Sequence, residues 1–433
     1  MVYIKKIITR EVLESRGEPA PEIDLWLDDG SFGRFTVPAG ASVGEHEAIE
    51  IRDNDLKRYH GKGVLNVLGI IEKRIKPVII KKNFDTQEEL DKFLIELDGS
   101  ENKSNLGANS ILGISVAFAK AFCSSKKIPF WSYANPVNEK KVIPVPMMNF
   151  LNGGVHGQWV TDLQEYMIMP IGAANFREAL RWCSEVYHSL KGILKKKNYS
   201  IGVGDEGGFS VREFKDNTEP LDLLMQAIKE SGYEPGREIS IALDAAASAF
   251  YDKNFSDKPY NLKRVGKRVN AVELVDFYKS LIEKYPIISI EDGLGENDWE
   301  GWGYMSRKLK NIQLVGDDLF VTNPKIFGKG IGLKVGNSIL VKLNQIGTLS
   351  ETCEVIKLAM KNDYSAVISH RSAQTEDPVA AHLAVAFNTG QIKYGSVRGY
   401  ERTNGYNELL RIEESLGDKC VYGGEIVRKR LCK

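Results

Sequence analysis

Six short apolar runs in the later part of the chain end on side chains that could do chemistry. ALD finishes at Asp244, SIED supplies Glu291, LVGDD supplies Asp317 and Asp318, LVKLN supplies Lys342, VISHRS supplies His370, Arg371 and Ser372, and QIKYG supplies Lys393. One charged residue at the end of a strand is ordinarily solvated punctuation. Six in succession ask for a common cause. If the runs are strands of a parallel barrel, their C-terminal ends open on one face and these side chains converge on a single pocket. Asp244, Glu291 and Asp317 then form an oxygen-only ligand set with no Cys or His nearby, which suits Mg2+. The bland alternative is that they cap helices or pair with lysines, but carboxylates crowded together repel without a cation. Lys342 and Lys393 leave two roles open. Either lysine is a salt-bridge partner of the carboxylates, or neighbouring positive charge frees one to act as a base while the other stabilises negative charge.

YSIGVGDEGGFS contains G-x-G-x-x-G at Gly202, Gly204 and Gly207. A dinucleotide site needs a strand before it and a helix N-terminus after it facing pyrophosphate, and Asp205 and Glu206 in the turn would repel that ligand. The glycines more simply allow a tight turn that projects Glu206 into the pocket. Upstream, FLNGGVHGQWVTDLQEYM carries His156 on a glycine-rich loop and brings Gln164 and Glu165 into a strand. P-loop, zincin and α/β-hydrolase motifs are absent from the sequence.

These residues need elements to hold them. IPVPMMNF, EYMIMP, ISIALDAAA, IISIEDGL, IQLVGDDL, SILVKLNQIG, SAVISHRSA and IKYGS are near-continuous apolar runs, most of them followed by helical stretches such as ELVDFYKSLIEKY. Such alternation predicts a parallel sheet covered by helices. From IEDGL onward the runs return about every 25 residues, the spacing of an eightfold barrel. Residues 1–137 read differently, as a small α+β domain. IKKIITREVL and PEIDLWLDDGSFGRFTV alternate around a DDG turn, and NSILGISVAFAKAFCSSKK is helical with Asn109 as its expected N-cap. The division is therefore residues 1–137 and 138–433. The chain's 433 residues suffice for both units without disulfide or metal staples. Its 58 Lys and Arg balance 58 Asp and Glu, and no basic stripe or basic amphipathic face appears, so nucleic acid and membrane surfaces are not expected partners. Five scattered Cys without a C-x-x-C pair read as reduced thiols in a cytoplasmic protein, and neither a signal segment nor a membrane-spanning run is expected.

GDEGG, SIEDGL, LVGDDLFVTNP, ILVKLNQIGTLSET, AVISHRS and YNELLRIEESLG, with ESRG, PAGASVGEHEAIEIRD and PVPMMNFLNGG, resemble the enolase family over essentially the whole chain. The resemblance implies a modified TIM-type (β/α)8 barrel with an irregular first β pair, preceded by a capping domain, and a homodimer or larger assembly. It implies reversible loss of water from 2-phosphoglycerate, a small anionic phospho-acid, to give phosphoenolpyruvate. Lys342 would be the base, Glu206 the acid with Glu165 beside it, and Lys393 the cation that stabilises the enediolate. Asp244, Glu291 and Asp317 would hold one Mg2+, and Ser42 would bind a second that arrives with substrate. Arg371 and Ser372 match phosphate contacts, and His156, Gln164 and His370 match other substrate-pocket positions. A lysine base working with Mg2+ is a general pattern of the enolase superfamily.

The departures from the family lie in loops. Val43 follows Ser42, bulky Trp159 stands where small residues are common, and Gly399 replaces an arginine while Arg402 is retained. Trp159 and Val43 raise the alternative of a paralogue that dehydrates a related phospho- or phosphono-carboxylic acid, because pocket loops set specificity. A surface partner-binding role through Lys433 is a further alternative, weighed against an ordinary solvated terminus.

Overall fold

A computed structural model describes residues 3–40, 44–137 and 140–431. Ser42, Val43 and Lys433 lie outside the described residues. Strands β1 (Ile4–Leu13), β2 (Pro19–Leu27) and β3 (Phe32–Thr36) form the antiparallel meander that the alternation predicts. Its buried side, with Ile7, Ile23, Leu25 and Phe35, packs against the helix Ala108–Lys126. Asn109 does not cap that helix. Gly107 holds the cap position, and Asn109 accepts the Ile51 N–H at 3.3 Å and donates to the Ile51 carbonyl at 3.0 Å. The capping residue needs a non-helical backbone, whereas Asn109 already lies within the helix and satisfies a neighbouring extended segment instead.

The second unit begins with β4 (Lys141–Ile143), which later pairs with β15 (Cys420–Tyr422). The barrel consists of β5 (Val145–Asn152), β6 (Glu165–Met169), β7 (Ser240–Asp244), β10 (Ile287–Glu291), β11 (Gln313–Gly316), β12 (Ser338–Val341), β13 (Ser365–Ser369) and β14 (Gln391–Lys393), closed by pairing of β14 with β5. A small hairpin, β8 (Tyr260–Leu262) and β9 (Lys267–Val269), is inserted after β7. All eight apolar runs become barrel strands. The parallel pattern read from the runs fails at one of them, because β6 is antiparallel to both β5 and β7, the irregular first β pair that the resemblance implied. The segment joining β5 to β6 holds only the helical turn Val155–Gly157, and a parallel return ordinarily needs a full crossover, usually a helix. Inversion has a functional consequence: β6 starts at the mouth where its neighbours end, so its first residue, Glu165, pairs with the last residue of β7, Asp244.

The other end of the barrel is filled. Val145, Met147, Met167, Met169, Val315, Leu340 and Val367 form one buried cluster with Val427 and Leu431 of the C-terminal helix Gly424–Leu431. Gln313, Ser338, Ser365 and Gln391, at or near the starts of their strands, satisfy one another in a buried polar layer. That arrangement leaves the strand-end face for chemistry, and the first unit covers it. Ala39 and Ala373 exchange backbone hydrogen bonds of 3.0 Å, and Asn344 donates to Glu50 at 2.8 Å. Among the described residues, no helix is long and apolar enough to cross a membrane.

Candidate active site

Lys393 sits at the centre of the mouth. Its Nζ lies 3.1 Å from Glu165, 3.1 Å from Asp244 and 2.9 Å from Glu291, and all four side chains are buried. Strand register explains the convergence: Glu165 pairs with Asp244, Asp244 pairs with Glu291, and Lys393 reaches them from the far side of the barrel. Burial, and after it Asp244, pushes the Glu291 carboxyl well above its usual range, because one cation is shared among three carboxylates. Lys393 is raised, since Asp244, Glu165 and Glu291 together outweigh the cost of its burial.

Lys342, just beyond β12, makes an ion pair with Asp317, just beyond β11. Burial opposes its charge but Asp317 prevails, so Lys342 is held above its usual value. Both lysines are therefore salt-bridged in this arrangement. Sequence reasoning gave no role to Asp292, which adopts φ 43° and accepts the N–H groups of Asp317 at 2.9 Å and Asp318 at 2.8 Å. Oxygens of Asp292, Asp317 and Asp318 lie within 4.8 Å of one another, and burial followed by Asp317 pushes Asp318 up to about 8.

The three expected metal ligands thus divide between two ion-pair clusters, Asp244 and Glu291 on Lys393 and Asp317 on Lys342. Lys393 faces three carboxylates, and Asp292 and Asp318 crowd the Asp317 that Lys342 pairs with. The donors are hard oxygens, and Glu291 and the neighbouring Asp318 are raised by burial and by adjacent carboxylates, so the set fits Mg2+ by its chemistry.

Glu206 arrives on the glycine turn. Gly207 has φ +83°, and a side chain there would also meet the Arg398 carbonyl at 2.7 Å; one at Gly204 would meet the His156 carbonyl at 2.4 Å. Both glycines are needed to seat the turn against its neighbours. Glu206 lies 3.3 Å from His370 Nε2 and 3.8 Å from His156 Nδ1, while His156 is 3.4 Å from Glu165. The two carboxylates shift in opposite directions. Burial and Glu206 raise Glu165, whereas His370, His156 and Lys393 overcome burial and lower Glu206.

Arg402 organises this side. It donates to His370 Nδ1 and to the carbonyls of Arg371 (2.8 Å), Asp205 (3.0 Å) and Ser372. Arginine has only donors, so His370 Nδ1 must accept and its Nε2 carries the proton toward Glu206. Burial holds His370 down to about 4 against the pull of Glu206.

His156, Gln164, Glu165, Glu206, Asp244, Asp317, Lys342, His370, Arg371, Ser372 and Lys393 all line one cavity of about 30 Å³. Arg371 is held there by Glu47 of the first unit at 3.2 Å. Glu291 lies behind Lys393 rather than in the cavity wall, and Trp159 does not line the cavity either. The space is about that of one water. Sequence reasoning missed Asp292, Glu47 and the organising role of Arg402. The Glu291–Asp292 doublet and the retained arginine stand in the sequence, but neither shows what its side chain touches.

A family model described as "Enolase, C-terminal TIM barrel domain" matches residues 140–431, and one described as "Enolase, N-terminal domain" matches residues 4–134.

Proposed function

The chain belongs to the enolase family, and on that premise we propose that it converts 2-phospho-D-glycerate reversibly to phosphoenolpyruvate. Membership makes it a hydro-lyase of the Mg2+-dependent enolase-superfamily type. The observation that carries the finer reading is that Lys342 and Glu206 line the same cavity from different elements, together with Arg371 and Ser372.

Lys342 is the base that removes the proton next to the substrate carboxylate. It must first shed the proton that Asp317 holds on it, and the nearby charges of Arg371 and Lys393 favour that loss. Glu206, with Glu165 beside it, delivers a proton to the departing hydroxyl from another direction. His370 and His156 hold the pair in place, and Arg371 and Ser372 receive the phosphate. Lys393 stays protonated and meets the charge that grows on the substrate carboxylate in the enediolate. Mg2+, when bound, adds charge stabilisation to the same carboxylate. Asp244, Glu291 and Asp317 would hold one ion, and Ser42 would serve a second.

Trp159 lies outside the cavity wall, and Val43, the other residue that raised a paralogue with a different acid, lies outside the described residues. We further propose a homodimer or larger assembly, as the resemblance implies, and residence in the cytoplasm, which suits the free thiols of Cys123, Cys183, Cys353 and Cys420.

The test is incubation with 2-phosphoglycerate and Mg2+, with product followed by ultraviolet absorbance. Turnover by the intact protein and its loss in Lys342→Ala is the expected result. Negligible turnover by the intact protein, or undiminished turnover by Lys342→Ala, would overturn the assignment.

A further inference from the structure

Gln158 and Trp159 are consecutive non-glycine residues in the left-handed region, with φ of 56° and 59°. Such conformations persist where the surroundings enforce them, and they gather at functional sites. Here the enforcing contacts come from outside the cavity. The Trp159 N–H donates to the Gly154 carbonyl at 2.7 Å, its ring packs on the core, and Lys263 Nζ lies 4.2 Å from the ring centroid. Lys263 belongs to the turn between β8 and β9, and the next residue of that turn, Arg264, donates its N–H to Asp162 at 2.8 Å. The hairpin thus grips the β5–β6 loop at two points.

The hairpin is itself anchored. Tyr260 donates its hydroxyl to Asp298 at 2.6 Å and accepts the Gly295 N–H at 3.1 Å. On the opposite side the loop meets the glycine turn, where the His156 carbonyl accepts the Asp205 N–H at 3.3 Å and the Gly157 carbonyl accepts the Ser210 hydroxyl at 2.9 Å. His156 is therefore held between the hairpin clamp and the segment that carries Glu206.

We infer that Trp159 and Lys263 form a clamp that fixes the loop bearing His156 against Glu165 and Glu206, making Trp159 a positioning residue for the proton-delivery side of the reaction. The inference rests on the dehydration proposed above. It turns a residue that looked like a specificity determinant into one that acts through loop geometry. An aromatic ring under an ammonium is a defined contact, and Phe in place of Trp retains the ring face while Ala removes it.

The experiment compares Trp159→Ala, Trp159→Phe and Lys263→Met in the full chain with two readouts. Hydrogen exchange measured by mass spectrometry over residues 153–164 should accelerate by about tenfold in Trp159→Ala, by about threefold in Lys263→Met, and by less than about twofold in Trp159→Phe. With 2-phosphoglycerate and Mg2+, kcat of Trp159→Ala should fall by about tenfold while KM changes by less than about twofold, and Trp159→Phe should recover kcat. Unchanged exchange in both Trp159→Ala and Lys263→Met overturns the clamp. An equal loss of kcat in Trp159→Ala and Trp159→Phe overturns the positioning role. If the intact protein lacks turnover, the reading of function fails while the exchange measurement still decides the clamp. Should Trp159→Ala not fold, Lys263→Met carries the same comparison.

Discussion

Replacing Arg402 with Met should damage stability in a pH-dependent way that identifies the cause. Arg402 is fully buried and donates to His370 and to the carbonyls of Arg371, Asp205 and Ser372. Met keeps the apolar stem and removes every donor. Orphaned buried acceptors cost about 1–3 kcal/mol each, and partial rehydration recovers some of that, so the loss should be on the order of 3–5 kcal/mol. That is a large part of a total that is ordinarily about 5–15 kcal/mol. Arg402→Lys retains the charge but cannot fan out to as many acceptors, and should fall between the two. The pH dependence follows from His370, whose value of about 4 lies below that of an unfolded histidine. A depressed histidine adds stability above about pH 6.5 that is lost as pH falls through the folded value. Burial is the main cause of the depression, and the Arg402 charge contributes to it. In Arg402→Met the His370 pKa should rise, the acid loss should shrink, and the deficit against wild type should be largest near pH 7.5 and smaller at pH about 5. Denaturant unfolding at the two pH values, with m values compared, measures this. A deficit under about 0.5 kcal/mol, or one equal at both pH values, would refute the reasoning.

Two other perturbations test different parts of the molecule. In the first unit, Asp24 is buried between Arg34 and Arg10, whose hydrogen bonds overcome burial and lower its pKa to about 2. A depressed carboxylate adds stability above about pH 4 that disappears as pH falls toward 2. Asp24→Asn should therefore cost on the order of 1–2 kcal/mol at pH 7, discounted for the half-exposed arginines, and the gap in denaturant unfolding should close on acidification. A gap that persists unchanged down to pH about 3 would contradict the assigned cause. At the mouth, Lys393→Met leaves Glu165, Asp244 and Glu291 without their shared cation. It should destabilise the metal-free protein by on the order of 3–5 kcal/mol and abolish turnover. Adding Mg2+ should narrow the difference in thermal unfolding, and an unaltered difference would count against the oxygen set as the metal's place.

Much of the site was legible because barrel strands report themselves twice, once by their apolar interiors and once by how they end. Asp244, Glu291, Asp317, Lys342, His370 and Lys393 could be read from adjacent letters, since strand-end placement depends only on where each apolar run stops. Three features could not. The inversion of β6 depends on what the β5–β6 connection lacks, and a short apolar run has the same pattern in either direction. Asp292 follows Glu291 in the chain, but its role comes from a left-handed backbone that turns its carboxylate under Asp317 and Asp318. No local pattern encodes that conformation for an aspartate. Arg402 lies in a helix far along the chain, and its acceptors are backbone carbonyls, which have no side-chain signature in a sequence.

Trp159 shows how composition misleads when direction is unknown. A bulky residue three positions after His156 invites a steric reading, in which it narrows the pocket. Two successive left-handed residues instead carry the chain away from the cavity, and the ring meets Lys263 of the hairpin. The same side chain that suggested a changed substrate therefore leaves the cavity lining untouched. Any effect of this loop on the reaction must then pass through residues that do line the cavity, such as His156, which Glu165 and Glu206 face.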